Sequence, residues 1–90
     1  MTKIKRLILD ILKPHQPNAL DFAIALAELS DEILVKITVV EVDEKTESVV
    51  VIIEDESIDF KAISERITEL GASIHSIDEV EVIGTKSQAI

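Results

Sequence analysis

The chain has no cysteine, tryptophan or tyrosine, and only two phenylalanines, two glycines and two prolines in 90 residues. The missing cysteine removes disulfides, thiolate metal sites and a cysteine nucleophile together. Phe22 and Phe60, the only aromatics, both sit at helical core spacing, so nucleic-acid bases have no stacking platform. Basic charge is scarce as well: nine Lys and Arg stand against 18 Asp and Glu, a net charge of −9. Phosphate backbones and anionic membrane surfaces are recognised by clustered Lys and Arg, so nucleic acid and membranes are excluded as partners. Gly71 and Gly84 are too far apart to cradle a phosphate, and no Gly-x-Ser-x-Gly elbow occurs. No apolar run approaches the ~18 residues of a membrane span. The basic start, Met1 to Arg6, leads into Asp10 and Lys13 rather than into a leader's apolar core and cleavage site. The expected location is the cytoplasm.

What the chain does have is aliphatic. Hydrophobic residues make up 47% of it, and Ile and Val dominate. β-Branched side chains suit a pleated sheet better than a helix. Ile4 to Lys13 reads as a strand, with Leu7, Leu9 and Ile11 on one face and Arg6, Ile8, Asp10 and Leu12 on the other. Pro14 and Pro17 end it. Asn18, with Asp21 three residues on, is an N-cap that opens a helix running to about Ser30. That helix is apolar nearly all round, the pattern of a helix that is covered.

Two strands follow, Ile33 to Asp43 and Ser48 to Glu54, joined by the polar turn Asp43-Glu44-Lys45-Thr46-Glu47. Val49-Val50-Val51-Ile52-Ile53 does not alternate, which is the mark of a central strand. A second helix starts at Ser57 or Asp59. Its stripe of Phe60, Ile63, Ile67 and Leu70 is half-buried, and Gly71 stops it as a left-handed cap. The acidic run Glu54-Asp55-Glu56 precedes this helix and suits its dipole. Ala72 to Ile83 is the fourth strand, whose apolar parity changes between Ile77 and Val80, the signature of a bulge. Gly84 to Ile90 reads as a flexible tail.

The order strand, helix, strand, strand, helix, strand is the ferredoxin-like βαββαβ arrangement in a single α+β domain. Right-handed crossovers give an antiparallel sheet of order 4-1-3-2 with both helices on one face. The other sheet face is then bare, and it carries Ile8, Leu12 and half of the third strand. Contiguous exposed apolar surface of this kind marks an interface. The expected partner is a further copy of the chain, docking on the first helix, the open sheet face, or both.

The same topology brings the start of the fourth strand beside the end of the first. If His75 pairs near Lys13, Asp78 falls near Asp10, because antiparallel partners keep a constant index sum. Asp10, His15, His75, Asp78 and Glu79 then form a candidate cation site. Carboxylates suit Ca²⁺ or Mg²⁺, and added imidazole suits Zn²⁺ or Mn²⁺. The plainer alternative pairs Asp10 with Arg6 or Lys13 and leaves both histidines as edge residues. Glu41, Asp43, Glu44 and Glu47 lack EF-hand spacing and read as a solvated turn guarding an edge strand. Ser76 and His75, adjacent in a strand, point to opposite faces and cannot act as a nucleophile–base pair. No catalytic residue is assigned.

Three segments resemble a small archaeal family, the domain of unknown function 211. They are Leu9-Asp10-Ile11-Leu12-Lys13-Pro14-His15-x-Pro17, Glu41-Val42-Asp43-Glu44-Lys45-Thr46-Glu47, and Ile74-His75-Ser76-Ile77-Asp78-Glu79-Val80. The resemblance extends from about Ile4 to Ile83. It implies a ferredoxin-like fold, a cytoplasmic archaeal setting, ring-like or higher homo-oligomers and an association with calcium, without an established activity. The expectation is a homo-oligomeric module that binds a divalent cation or small ligand. The alternatives are a purely structural oligomer and an enzyme using His15 or His75 with Asp78 at a site between subunits.

Overall fold

The computed structural model describes residues 1–85. The elements are β1 (Thr2–Pro14), α1 (Ala19–Ala27), β2 (Leu34–Val42), β3 (Thr46–Glu54), α2 (Phe60–Glu69) and β4 (Ser73–Gly84). All strand pairs are antiparallel and the sheet order is β2-β3-β1-β4, the reverse statement of 4-1-3-2. This is the ferredoxin-like α+β fold that the element order and composition predict.

The core follows from strand alternation. Leu7, Leu9 and Ile11 of β1 and Val49, Val51 and Ile53 of β3 are buried, and Cα pairing puts them on one face. Phe22 and Leu26 of α1 and Ile63 and Ile67 of α2 cover that face, with Ile58 and Ala72 closing its ends. The flanking Phe60 and Leu70 of α2 are partly buried, as their place on the stripe predicts.

Local signals work as chemistry requires. The Asn18 side chain accepts from Asp21 N–H, and the Asp59 side chain accepts from Ala62 N–H. Gly71 has φ +83°, the left-handed conformation that ends α2. α1 stops earlier than its apolar pattern reaches, because Leu29 N–H turns to the Leu26 carbonyl in a tighter last turn. It has no basic residue in that turn, and Arg66 of α2 donates to the Ala25 carbonyl at 2.7 Å instead. A cation from the neighbouring helix thus completes the α1 C-terminus.

Strands and helices differ in reach. The 13 residues of β1 extend about 43 Å, whereas the 9 residues of α1 rise about 14 Å. Two short helices cannot roof such a sheet. Ile77, Val80 and Val82 on β4 and Val39, Val40 and Val42 on β2 are therefore exposed. α1 is buried along one stripe only within the chain: Leu20 keeps 68% and Ile24 47% of its surface. On the open sheet face Leu12 is exposed, and Ile8, Val50 and Ile52 are half-buried.

The expected bulge is present. Pairing passes from Leu9↔Ile77 to Ile8↔Glu79, which leaves Asp78 as an extra residue. A second shift, from Ile11↔Ile74 to Asp10↔Ser76, leaves His75 extra, and a third leaves Lys5 extra on β1. Part of the expected tail belongs to the sheet: Gly84 pairs with Thr2, and Thr85 N–H donates to the Met1 carbonyl at 2.8 Å. Residues 86–90 of that tail lie outside the described residues. No helix among the described residues is long and apolar enough to cross a membrane.

Candidate functional site

A shallow groove of about 280 Å³ opens at Asp10, Ile11, Leu12, Ser48 and His75. Asp10 lies opposite Val50 on β3 and Ser76 on β4, and Leu12 lies opposite Ser48. Directly paired residues share a face, so Asp10, Leu12, Ser48 and Ser76 all belong to the open side of the sheet. His75, the bulged residue of β4, adds an imidazole to a wall that otherwise offers one carboxylate and one hydroxyl.

The five candidate ligands divide among four places. Asp10 and His75 share the groove. Asp78 accepts a hydrogen bond from the Ser76 hydroxyl at 2.7 Å. Glu79 accepts from Arg6 Nε at 2.6 Å, and Glu54 takes the other arm of the same guanidinium. His15 is drawn to the β2–β3 turn. No group of three or more His, Asp and Glu side chains among the described residues is placed to hold a metal.

The expected register is off by two residues at this end of the sheet. Asp10 faces Ser76 rather than Asp78, and pairing with β4 ends at Leu12↔Ser73, before Lys13. The offset is already present where pairing begins, Ser73 opposite Leu12, an index sum of 85 against the expected 88. Each bulge then adds one residue to β4 without advancing β1, raising the sum to 86 at Asp10↔Ser76 and 87 at Ile8↔Glu79, so it is not constant along the pair.

The densest polar cluster was not foreseen. Lys13 shares the buried parity of Leu7, Leu9 and Ile11, and it is fully buried. Its Nζ donates to Glu47 Oε1 at 2.9 Å and to the Pro14 carbonyl at 2.8 Å. The other Glu47 oxygen lies 3.0 Å from His15 Nδ1, and His15 Nε2 lies 2.9 Å from the Glu44 carbonyl. One carboxylate therefore serves both Lys13 and His15 at the end of β1. Its hydrogen bonds from His15 and then Lys13 hold the Glu47 carboxyl below the usual carboxylate range. The hydrogen bond to Glu47, helped by the Glu44 and Asp43 backbone, raises His15 above the ordinary histidine value. The one sequence signal for this cluster was a lysine on the core parity of β1, which demands a buried counter-charge.

The acids before α2 serve the other end of the sheet rather than the helix dipole. Glu56 accepts from Lys5 at 2.9 Å and Lys3 at 3.2 Å, and these bonds, Lys5 first, lower its carboxyl. Glu54 takes Arg6.

A βαββαβ domain with an antiparallel sheet of order β2-β3-β1-β4 is a ferredoxin-like domain. The sequence pattern of the family described as uncharacterized ArCR, DUF211, matches residues 5–87, nearly the whole chain, and the chain belongs to that family. It is 52% identical over 86 residues to the uncharacterized protein MJ0319 of Methanocaldococcus jannaschii, covering 96% of this chain and 88% of that relative.

Proposed function

We propose that the protein acts as a homo-oligomer that binds a divalent cation or small polar ligand at the groove of Asp10, Ser48 and His75, completed by a neighbouring copy. The observation that carries this reading is the distribution of exposed aliphatic side chains. They lie on both margins of the sheet, Val39, Val40 and Val42 on β2 and Val80, Val82 and Ile83 on β4, and on Leu20 and Ile24 of α1. β2 and β4 are opposite edges. A single foreign partner would cover one margin, whereas head-to-tail copies bring the β2 margin of one against the β4 margin of the next. Covering each such side chain stabilises by about 1–2 kcal/mol, so six or more are comparable with the whole stability of a small domain. Association into a closed ring of identical copies is the geometry this supports. The archaeal cytoplasm is the setting we infer for it, on the family resemblance.

The ligand part of the reading rests on the groove. One carboxylate and one imidazole are two ligands, fewer than a divalent cation takes from a protein site. A second copy docking at the β1–β4 junction would supply the rest. Asp78, the acid–base partner expected of an enzyme reading, is hydrogen-bonded to Ser76 and to neither imidazole among the described residues. Sedimentation of the native protein, with and without chelator, joined to calorimetric titration with Ca²⁺, Mg²⁺, Mn²⁺ and Zn²⁺, tests both parts. A monomeric mass at micromolar concentration rejects the assembly. An assembly that gives no heat with any metal, in wild type and in Asp10→Ala/His75→Ala alike, rejects the cation and leaves a structural oligomer.

A further inference from the structure

His15 follows β1 and reaches across to the β2–β3 turn. Both of its ring nitrogens face acceptors: Glu47 Oε2 at 3.0 Å from Nδ1, and the Glu44 carbonyl at 2.9 Å from Nε2. A neutral imidazole carries one N–H and one lone pair, so it can satisfy only one of the two. The second acceptor would then meet a lone pair at hydrogen-bond distance, which is repulsive. Only the doubly protonated ring donates to both.

We propose that the imidazolium form of His15 is a latch that pins the β2–β3 turn to the end of β1, and that loss of one ring proton releases the turn. The charged groups around the ring favour this. Glu47 approaches it from β3, the Asp43 and Glu44 backbone carbonyls face it from the turn, which carries Asp43 and Glu44 against the one cation Lys45, and α1 holds a single charged residue, Asp21. The cation from β1, Lys13, is on the far oxygen of Glu47 and is occupied there. When the ring becomes neutral, the Lys13–Glu47 pair persists. The contact that gives way is the Glu44 carbonyl, because Glu47 is the stronger acceptor and keeps the remaining N–H. The turn is otherwise closed by one hydrogen bond of its own, Asp43 N–H to the Thr46 carbonyl at 2.8 Å. The Asp43 amide is therefore the reporter. The latch lies within one chain and does not depend on assembly or on the groove.

Nitrogen-15 shifts of the His15 ring, assigned by their loss in His15→Gln, read the protonation state directly. Near neutral pH both ring nitrogens are expected to carry protons. Amide exchange of Asp43, corrected for intrinsic rate, reads the turn in the same full-length protein. Its protection is expected to fall roughly tenfold between about pH 6 and about pH 9 in wild type, the scale of one lost charge-assisted hydrogen bond. In His15→Gln the protection is expected to be already low and flat across the range. A single-proton tautomer at about pH 6 overturns the latch. So does an Asp43 protection that stays constant in wild type, or that falls equally in wild type and in His15→Gln. Amides of Leu9 and Val51 in the sheet core serve as the fold control, and a variant that loses their protection is replaced by His15→Asn.

Discussion

Lys13 Nζ is 2.9 Å from Glu47 Oε1 in a position with no solvent exposure on the lysine side. A charge taken out of water is tolerated only with its partner, and removing the partner costs more than the pair contributes. Glu47→Ala is expected to lower the denaturant midpoint more than any other single change in the turn. Glu47→Ala combined with Lys13→Met is expected to recover much of the loss, since methionine fills the same volume without charge. Urea titration of the two variants checks this, and a double variant no more stable than the single one contradicts it.

Stability should peak in mildly acid solution. Glu47 and Glu56 have folded-state values below the ordinary 4.5, so their contribution is complete above that value and lost as pH falls through the lowered one. His15 has a folded-state value above 6.5, so its contribution is complete below 6.5 and lost as pH rises through the raised one. The two flanks leave a maximum between 4.5 and 6.5. Thermal unfolding across pH measures the profile. His15→Gln should flatten the alkaline flank and leave the acid flank in place.

Gly71 sits at φ +83°, where a side chain strains the backbone. The space itself is adequate, since an added Cβ would meet Pro14 Cγ at 3.6 Å, an ordinary contact. Gly71→Ala is thus expected to cost about 1–2 kcal/mol from conformation alone. Gly71→Asn should cost less, because Asn tolerates the left-handed region. Equal losses for the two would point to crowding against Pro14 instead.

The exposed margins should govern assembly without governing the fold. Val80→Glu and Ile24→Glu place charge on surfaces that the isolated chain leaves open, at 52% and 47% exposure. Both are expected to shift sedimentation toward smaller species while circular dichroism stays unchanged. Leu9→Ala, by contrast, empties part of the core and should cost about 2–5 kcal/mol. If the two margin variants keep the wild-type mass, those surfaces are not the contacts.

Much of the fold could be read from residue order. The unbroken apolar run at Val49 to Ile53 marks a central strand, and Leu7, Leu9 and Ile11 mark the face that the helices cover. Asn18, Asp59 and Gly71 act locally, through hydrogen bonds and φ values set within a few residues, so they were legible. The parity change after Ile77 was legible as a bulge for the same reason. The second bulge, at His75, has the same signature, Ile74 and Ile77 three residues apart, but no residue pattern fixes which residue of β4 first pairs with β1. The register, and the candidate site with it, came only from the tertiary structure: Asp10 and His75 share a groove, while Asp78, Glu79 and His15 are taken by Ser76, Arg6 and Glu47.

By itself the sequence determined what depends on composition and local period: an α+β sheet of known order, no thiol chemistry, and more aliphatic surface than two short helices can hide. Only the tertiary structure decided which charges meet. Lys13 and His15 lie 34 and 32 residues from Glu47 along the chain, and Arg6 meets Glu79 from the far end of the sequence. Such pairings depend on strand register to within one residue, and a one-residue bulge that costs little energy is enough to reassign every partner beyond it.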